Sequence, residues 1–113
     1  MLTKLTRQRC TACRRGSPKI STAEIAEFKP HIPDWCLFSD NGIDKLERTF
    51  SFKDFADAMN FSNTIGDLAE KEGHHPMLIT EWGRVRVTWW THKIKGLHKN
   101  DFIMAAKSDQ AYS

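Results

Sequence analysis

Residues 77–91 of the 113-residue chain read MLITEWGRVRVTWWT, a pattern that predicts a β-hairpin. We assign one strand to Met77 to Glu81 and the other to Arg84 to Thr91. Gly83 between them can adopt the positive φ that a tight turn requires. Side-chain alternation separates two faces of the second strand, with Val85, Val87 and Trp89 on one and Arg86, Thr88 and Trp90 on the other.

A long amphipathic helix is predicted immediately before this hairpin. It begins at Ser51 or Lys53 and ends at Gly73, because glycine tolerates the left-handed backbone conformation that often closes a helix. The side chains expected to face the core recur at three- and four-residue spacing, and they are Phe55, Ala58, Met59, Ser62, Ile65, Leu68 and Ala69.

A second hairpin is predicted nearer the N-terminus. Its strands are Trp35 to Phe38 and Lys45 to Phe50, and Asn41-Gly42 is a strong signal for a two-residue turn between them. Leu46 and Phe50 share one face of the later strand, although Arg48 interrupts that face. A shorter helix comes first, with Ser21 and Glu24 as a capping box, and it runs to about Lys29 because Pro30 stops it.

A last helix is capped by Asn100 or Asp101 and runs to about Lys107. The complete order is therefore α-β-β-α-β-β-α, which predicts an α+β fold with a four-stranded antiparallel sheet covered by three helices. The open edges of such a sheet invite pairing with a second copy, so we expect a homo-oligomer. No stretch approaches the roughly 20 apolar residues of a membrane helix, and no secretory signal begins the chain, so we expect a cytoplasmic protein.

The N-terminal 20 residues differ in charge from the rest of the chain. They hold six basic residues and no acidic one. Because the whole chain has a net charge of +3, residues 21–113 together have a net charge of −3. We interpret residues 1–20 as a basic, solvated arm and residues 21–113 as a single domain. Because no aromatic residue is interleaved with these charges, we expect no nucleic-acid partner. Cys10 and Cys13 have the CxxC spacing of zinc or redox sites, but no second such pair exists and we favour a plain arm.

Two adjacent histidines occupy the exit of the long helix. Glu70 lies four residues before His74, which places the two on one helical face while the helix lasts. Pro76 forces His75 into an extended conformation. Imidazole and carboxylate groups are thereby held on stiff, irregular backbone, which is a common location for catalytic residues.

The hairpin turn brings residues 90–92 back toward residues 74–76, so His92 can approach the histidine pair. Asp101 lies at the same end of the sheet, and Trp82 or Trp90 can form an apolar wall for a flat substrate. Histidine exchanges protons near neutral pH, so this set suits general acid–base chemistry. A zinc site is a second interpretation of three histidines, and an ordinary loop, core tryptophans and a helix cap are a third.

The spacing of seven residues closely resembles the signature of the pterin-4a-carbinolamine dehydratases, also called 4a-hydroxytetrahydrobiopterin dehydratases. The seven are Glu70, His74, His75, Pro76, Trp82, His92 and Asp101. The flanking residues 88–92 and 96–102 are similar to bacterial members of that family, and the resemblance covers residues 33–108.

This resemblance implies a four-stranded antiparallel sheet with helices, assembled as a homodimer or homotetramer. It implies dehydration of 4a-hydroxytetrahydropterin to quinonoid dihydropterin, which recycles the cofactor of phenylalanine hydroxylase. The pterin is then the substrate, and no metal or cofactor is implied. His74, His75 and His92 would be the catalytic residues. The supporting or substrate-binding residues would be Glu70, Pro76, Trp82, Trp90 and Asp101. Gly73 departs from the family pattern, because animal members can carry an acid there.

Two other functions remain open from the sequence. Some relatives resemble transcriptional coactivators, so the chain can be a protein-binding regulator that works through the exposed side of helix 54–72 or through the basic arm. A metal-dependent or molybdopterin-handling protein on the same scaffold is the other alternative.

Overall fold

The computed structural model describes residues 5–8, 10 and 18–113. In this part of the chain three α-helices and four β-strands follow one another in the predicted order α-β-β-α-β-β-α. Their bounds are α1 Thr22–Phe28, β1 Cys36–Asp40, β2 Ile43–Ser51, α2 Phe55–Glu72, β3 Met77–Glu81, β4 Arg84–Trp89 and α3 Lys99–Tyr112. Short 3₁₀ turns cover Leu5–Arg7, Lys29–His31 and His92–Ile94. The predicted α+β class is confirmed.

The four strands form one sheet in the order β1-β2-β4-β3, and every neighbouring pair is antiparallel. Both predicted hairpins are present, with Asp40 paired to Ile43 across Asn41-Gly42 and Glu81 paired to Arg84 across the second turn. One face of the sheet packs on the helices, and its fully buried side chains are Leu46, Phe50, Val85, Val87 and Trp89. The opposite face carries the exposed Arg84 and Arg86.

Helix α2 begins later than the sequence predicts. Ser51 is still the last residue of β2, where it pairs with Arg84, and Asp54 is the N-cap, whose side chain accepts a hydrogen bond from the Asp57 N–H. Gly73 ends the helix as predicted, with φ of 64°. The buried side of α2 is rotated relative to the prediction: Ala58, Phe61, Ser62, Ile65 and Ala69 are buried, Leu68 is partly buried, and Phe55 and Met59 are exposed.

Strand β1 covers Cys36–Asp40 rather than residues 35–38. Trp35 lies just before it, buried, and its indole N–H donates to Asp109 at 2.8 Å. Arg48 is accommodated on the apolar face of β2 by two contacts. Its guanidinium lies 4.4 Å from the centre of the Phe50 ring, and it donates to the Asp109 carboxylate at 2.6 Å. Asp109 therefore ties the start of the sheet to α3.

The boundaries at the C-terminal end of the sheet also differ from the prediction. β4 ends at Trp89, and Thr91 makes an isolated bridge with Gly96 instead of continuing the strand. The N-cap of α3 is His98, and Asp101 is its capping-box partner rather than the cap itself. The helix continues past Lys107 to Tyr112, because the Tyr112 ring packs against Phe50, Phe52 and Phe61.

The described part of the N-terminal arm is partly packed on the domain, while Arg7, Pro18 and Lys19 are exposed. Leu5 is only 5% exposed and belongs to the core. Lys107 donates to the Thr6 carbonyl at 2.9 Å, and the Cys10 N–H donates to Glu72 at 3.0 Å. Cys13, Lys4, Arg9, Arg14 and Arg15 lie outside the described residues, so the CxxC hypothesis stays a prediction. Across the described ranges, no helix has the length and apolarity needed to span a bilayer.

Replacing Gly83 with alanine is expected to lower the free energy of unfolding by about 1–2 kcal/mol, since the left-handed region is strained for a residue with a Cβ. Gly83 has φ of 75°, and an added Cβ would stand 3.2 Å from the Phe52 carbonyl oxygen. Gly66 in α2 is the matched control, because nothing lies within 4 Å of its Cβ position and alanine there should add about 0.5–1 kcal/mol. Urea unfolding of both variants measures the difference, and equal losses would contradict this account.

Candidate active site

Three histidines meet at one end of the β3–β4 hairpin. Gly73 ends α2, and the His74 N–H donates back to the Ala69 carbonyl at 3.1 Å, so the chain turns sharply into β3. Met77 pairs with Thr88, and this register sets residues 74–76 beside residues 89–92. The structure thus brings His74, His75 and His92 together by the route that the hairpin predicts.

The innermost pair is His74 with Asp101. His74 is 8% exposed, and its Nε2 lies 2.6 Å from Oδ1 of Asp101, which is fully buried. The ring is stacked on Trp89, with centroids 5.8 Å apart and planes 13° apart. Oδ2 of Asp101 accepts from the Thr91 hydroxyl at 2.8 Å and from the His98 N–H at 2.9 Å.

These contacts select one tautomer of His74. The Asp101 carboxylate accepts at both oxygens, so the proton between it and the imidazole lies on Nε2 of His74. Nδ1 then keeps the lone pair of the neutral ring. A buried carboxylate that orients an imidazole in this way is the arrangement that serves proton transfer in catalytic triads.

His92 lies in the 3₁₀ turn after β4 rather than in an extended strand. Its ring packs on Trp90, with centroids 4.3 Å apart, while the residue as a whole is exposed. Desolvation by burial and then the neighbouring His74 lower the pKa of His92 from 6.5, and Lys45 lowers it further. Asp101 and a backbone hydrogen bond at His75 act in the opposite direction. At neutral pH this ring is therefore uncharged and can accept a proton.

His75 and Glu70 form the outer part of the cluster. His75 Nε2 lies 3.0 Å from Glu70 Oε1, and the side chains are 58% and 80% exposed. Pro76 is half-buried and leads directly into β3. This pair is open to solvent, so it can contact a bound molecule while His74 contributes from beneath.

Trp82 is not brought to the histidines. It lies in the turn at the opposite end of the hairpin and is 71% exposed. The five residues of β3 separate the two ends, and at about 3.3 Å per residue this is a distance of roughly 17 Å. Of the two tryptophans predicted as a wall, only Trp90 stands in the cluster.

The sequence interpretation missed three groups that support the site: Trp89 under His74, and Thr91 and the His98 backbone at Asp101. A signal for the last existed, because residues 98 and 101 have the three-residue spacing of a capping box. Thr91 and Trp89 carried no such signal, since their contacts depend on how α3 docks against β4.

A metal site has little support within the described ranges. No group of three or more His, Cys, Asp or Glu side chains there is arranged to hold an ion. Nε2 of His74 and Nε2 of His75 are each directed at a carboxylate. Zinc requires several ligands converging on one point, whereas these nitrogens point to separate partners. The arrangement is better suited to moving protons on and off a flat polar molecule beside Trp90.

Comparison with known proteins agrees with the family resemblance seen in the sequence. The family model described as "Pterin 4 alpha carbinolamine dehydratase" matches residues 18–111. A protein of Syntrophotalea carbinolica, provisionally named pterin-4-alpha-carbinolamine dehydratase, is 54% identical over 106 residues, which is 94% of this chain and 95% of the relative. A Gloeobacter violaceus protein with a similar provisional name is 56% identical over 105 residues, covering 93% of this chain and 90% of its own.

Solved structures share the fold. A Brucella melitensis protein described as "transcriptional coactivator/pterin dehydratase" superimposes with a TM-score of 0.75 at 30% identity, over 85% of this chain and all of the other. A pterin dehydratase-like protein described as a RuBisCO assembly factor in the alpha-carboxysome has a TM-score of 0.62 at 21% identity, over 74% of this chain and 94% of its own. The second likeness concerns the fold alone.

Proposed function

Because the chain belongs to the pterin-4a-carbinolamine dehydratase family, we propose that it converts 4a-hydroxytetrahydropterin to quinonoid dihydropterin. The reaction breaks the C4a–O bond, removes the proton from N5 and forms a C4a=N5 double bond, and the hydroxyl leaves as water. It therefore needs one group that gives a proton and one that takes a proton. The observation that carries the proposal is the cluster in which His92 packs on Trp90 beside the His74–Asp101 pair.

We assign the proton-accepting role to His92 and the proton-donating role to the imidazolium form of His74, which gives up the proton on Nδ1 while Nε2 stays hydrogen-bonded to Asp101. His92 is uncharged at neutral pH, so its ring nitrogen can take the N5 proton. Asp101 orients His74 and can stabilise the positive charge on the imidazole while it exchanges a proton with the departing hydroxyl. His75, oriented by Glu70, holds the substrate, and the apolar surface of Trp90 supports the pterin ring.

The chemistry itself consists of two proton transfers and the loss of water, so we propose that no metal or bound cofactor takes part and that the pterin is the substrate. From the resemblance we propose that the reaction follows that of phenylalanine hydroxylase and takes place in the cytoplasm. We also propose that the protein is a homodimer or homotetramer. Strand β3 is an edge of the sheet and exposes Met77 and Ile79, a surface that supports self-association.

A direct assay tests the proposed function. 4a-Hydroxytetrahydropterin is generated in the cuvette, and its disappearance is followed with and without the purified full-length protein. We expect acceleration above the spontaneous rate, unchanged by a chelator. A rate equal to the spontaneous one at micromolar protein would overturn the proposal, and a chelator-sensitive rate would favour the metal-dependent alternative.

The acid limb of the pH profile of kcat/KM is expected to have its midpoint below pH 6.5, because the proton acceptor His92 has a lowered pKa. By linkage, the unfolded chain binds this proton more readily than the folded one. The stability that the neutral ring contributes is therefore fully present above pH 6.5 and is lost as the pH falls through the folded pKa. Steady-state rates between pH 4.5 and 8.5 measure the limb, and a midpoint above pH 6.5 would contradict the role of His92.

A protein-binding regulator is the second candidate. Phe55 and Met59 are apolar yet exposed, at 47% and 37%, on α2, and the structurally similar Brucella protein is described as a coactivator. Charged substitutions at these two positions distinguish the candidates. Altered hydroxylase expression with unchanged turnover favours the regulator, whereas unchanged expression favours the enzyme alone.

A further inference from the structure

A lysine on the neighbouring strand reaches the edge of this site. Lys45 lies in β2, opposite Phe38 of β1, and its Nζ is 4.1 Å from the centre of the Trp90 ring. Trp90 in turn contacts the His92 ring at 4.3 Å between centroids. The Lys45 ammonium therefore contacts the Trp90 indole, which in turn contacts the His92 imidazole, at the end of the sheet.

Lys45 is held far more firmly than a surface lysine. Its side chain is only 12% exposed, and its Nζ lies 3.1 Å from Oδ2 of Asp40. Lysine side chains are almost never buried without a partner, and they usually keep the ammonium in water. Asp40 is 53% exposed and anchors the cation from the solvent side, while Trp90 receives it on the inner side through a cation–π contact.

A fixed positive charge at this place opposes a second positive charge on His92. The charged groups that act on the pKa of His92 are His74 on the connection after α2, Asp101 on α3 and Lys45 on β2, and a backbone hydrogen bond at His75 acts on it as well. Lys45 acts in the same direction as burial and His74, and Asp101 acts against them. Lys45 is the one member of this set that contacts the Trp90 wall in the structure.

We propose that Lys45 is a positioning residue for the dehydration: held by Asp40, it fixes Trp90 against His92 and places a positive charge beside that imidazole. This role rests on the proposed function, but the contact and its effect on the imidazole belong to the free protein. The lysine does not touch the reacting atoms and acts only through its two neighbours.

Two substitutions with opposite expected signs test the role. Lys45→Met keeps the apolar stem on Trp90 and removes the charge, so the His92 titration should move to higher pH. Asp40→Asn leaves the cation without its counter-ion, so the same titration should move to lower pH. Lys45→Arg should behave like the wild type. Lys53→Met, which removes an exposed lysine paired with Asp57, is the matched control and should leave the titration unchanged.

The primary measurement is an NMR titration of the His92 ring in the full chain without substrate, with the resonance assigned by its loss in His92→Gln. The second is the pH profile of kcat/KM, in which Lys45→Met should lose about threefold at pH 6 and little at pH 8, as expected for one charge acting through a partly solvated path. A His92 titration that does not move in either Lys45→Met or Asp40→Asn would overturn the role of Lys45. A wild-type protein without dehydratase activity would instead overturn the proposed function.

Discussion

Replacing His92 with glutamine is expected to lower kcat for the dehydration by about 10²-fold or more, the usual contribution of a positioned general base. Glutamine matches the size of imidazole and can still contact Trp90, so the loss reports the missing proton acceptor rather than a missing contact. Because His92 is exposed, the fold should tolerate this substitution. Single-turnover rates with freshly generated 4a-hydroxytetrahydropterin, together with thermal unfolding of the variant, measure the two effects separately.

His31→Gln is the matched control, since His31 is an exposed histidine in the 3₁₀ turn after α1 and outside the histidine cluster. It should retain the wild-type rate. Because acid and base act on one substrate, the double variant His74→Gln with His92→Gln should be little slower than the more damaged single variant. A His92→Gln enzyme that retains the wild-type rate would remove His92 from the mechanism.

The fold was predictable where local rules and long-range contacts agree. Gly83 and Asn41-Gly42 select tight turns by backbone conformation alone, and both hairpins are present. The beginning of α2 was not predictable, because Ser51 is taken by pairing with Arg84 across the sheet. The rotation of its buried side has the same origin: Phe61 is drawn inward by the Phe50 ring, 4.7 Å away, a contact that no periodicity within α2 contains.

The site was predictable to the extent that it depends on one hairpin. His74, His75 and His92 are joined by the β3–β4 register, and a hairpin can be derived from sequence. Trp82 was predicted beside them both as a possible apolar wall and by the resemblance, although a strand separates it from the cluster. Lys45 could not be anticipated, since its contact with Trp90 requires β2 to lie between β1 and β4, and the strand order follows from packing rather than from any local pattern.

Asp101→Asn is expected to lower kcat by about 10²-fold or more, through the tautomer of His74, while the protein remains folded. Oδ2 of Asp101 accepts two hydrogen bonds, from Thr91 and from the His98 N–H, whereas Oδ1 faces only His74. An asparagine must put its single oxygen where two donors point, so its NH₂ group faces His74 Nε2. That nitrogen must then accept, and the imidazole proton moves to Nδ1.

This prediction separates the effect of Asp101 on the tautomer of His74 from its effect on the stability of the fold. Asp109→Asn is the matched control, because Asp109 also accepts from two side chains, Trp35 and Arg48, yet lies outside the histidine cluster. Both variants should lose stability, since each weakens charged hydrogen bonds worth about 1.5–3 kcal/mol apiece, but only Asp101→Asn should lose the rate. Nitrogen NMR of His74 should show the proton on Nδ1 in Asp101→Asn and on Nε2 in Asp109→Asn. If Asp101→Asn turns over at the wild-type rate with the proton on Nδ1, the tautomer of His74 is irrelevant to the reaction, and Asp101 is a capping residue alone.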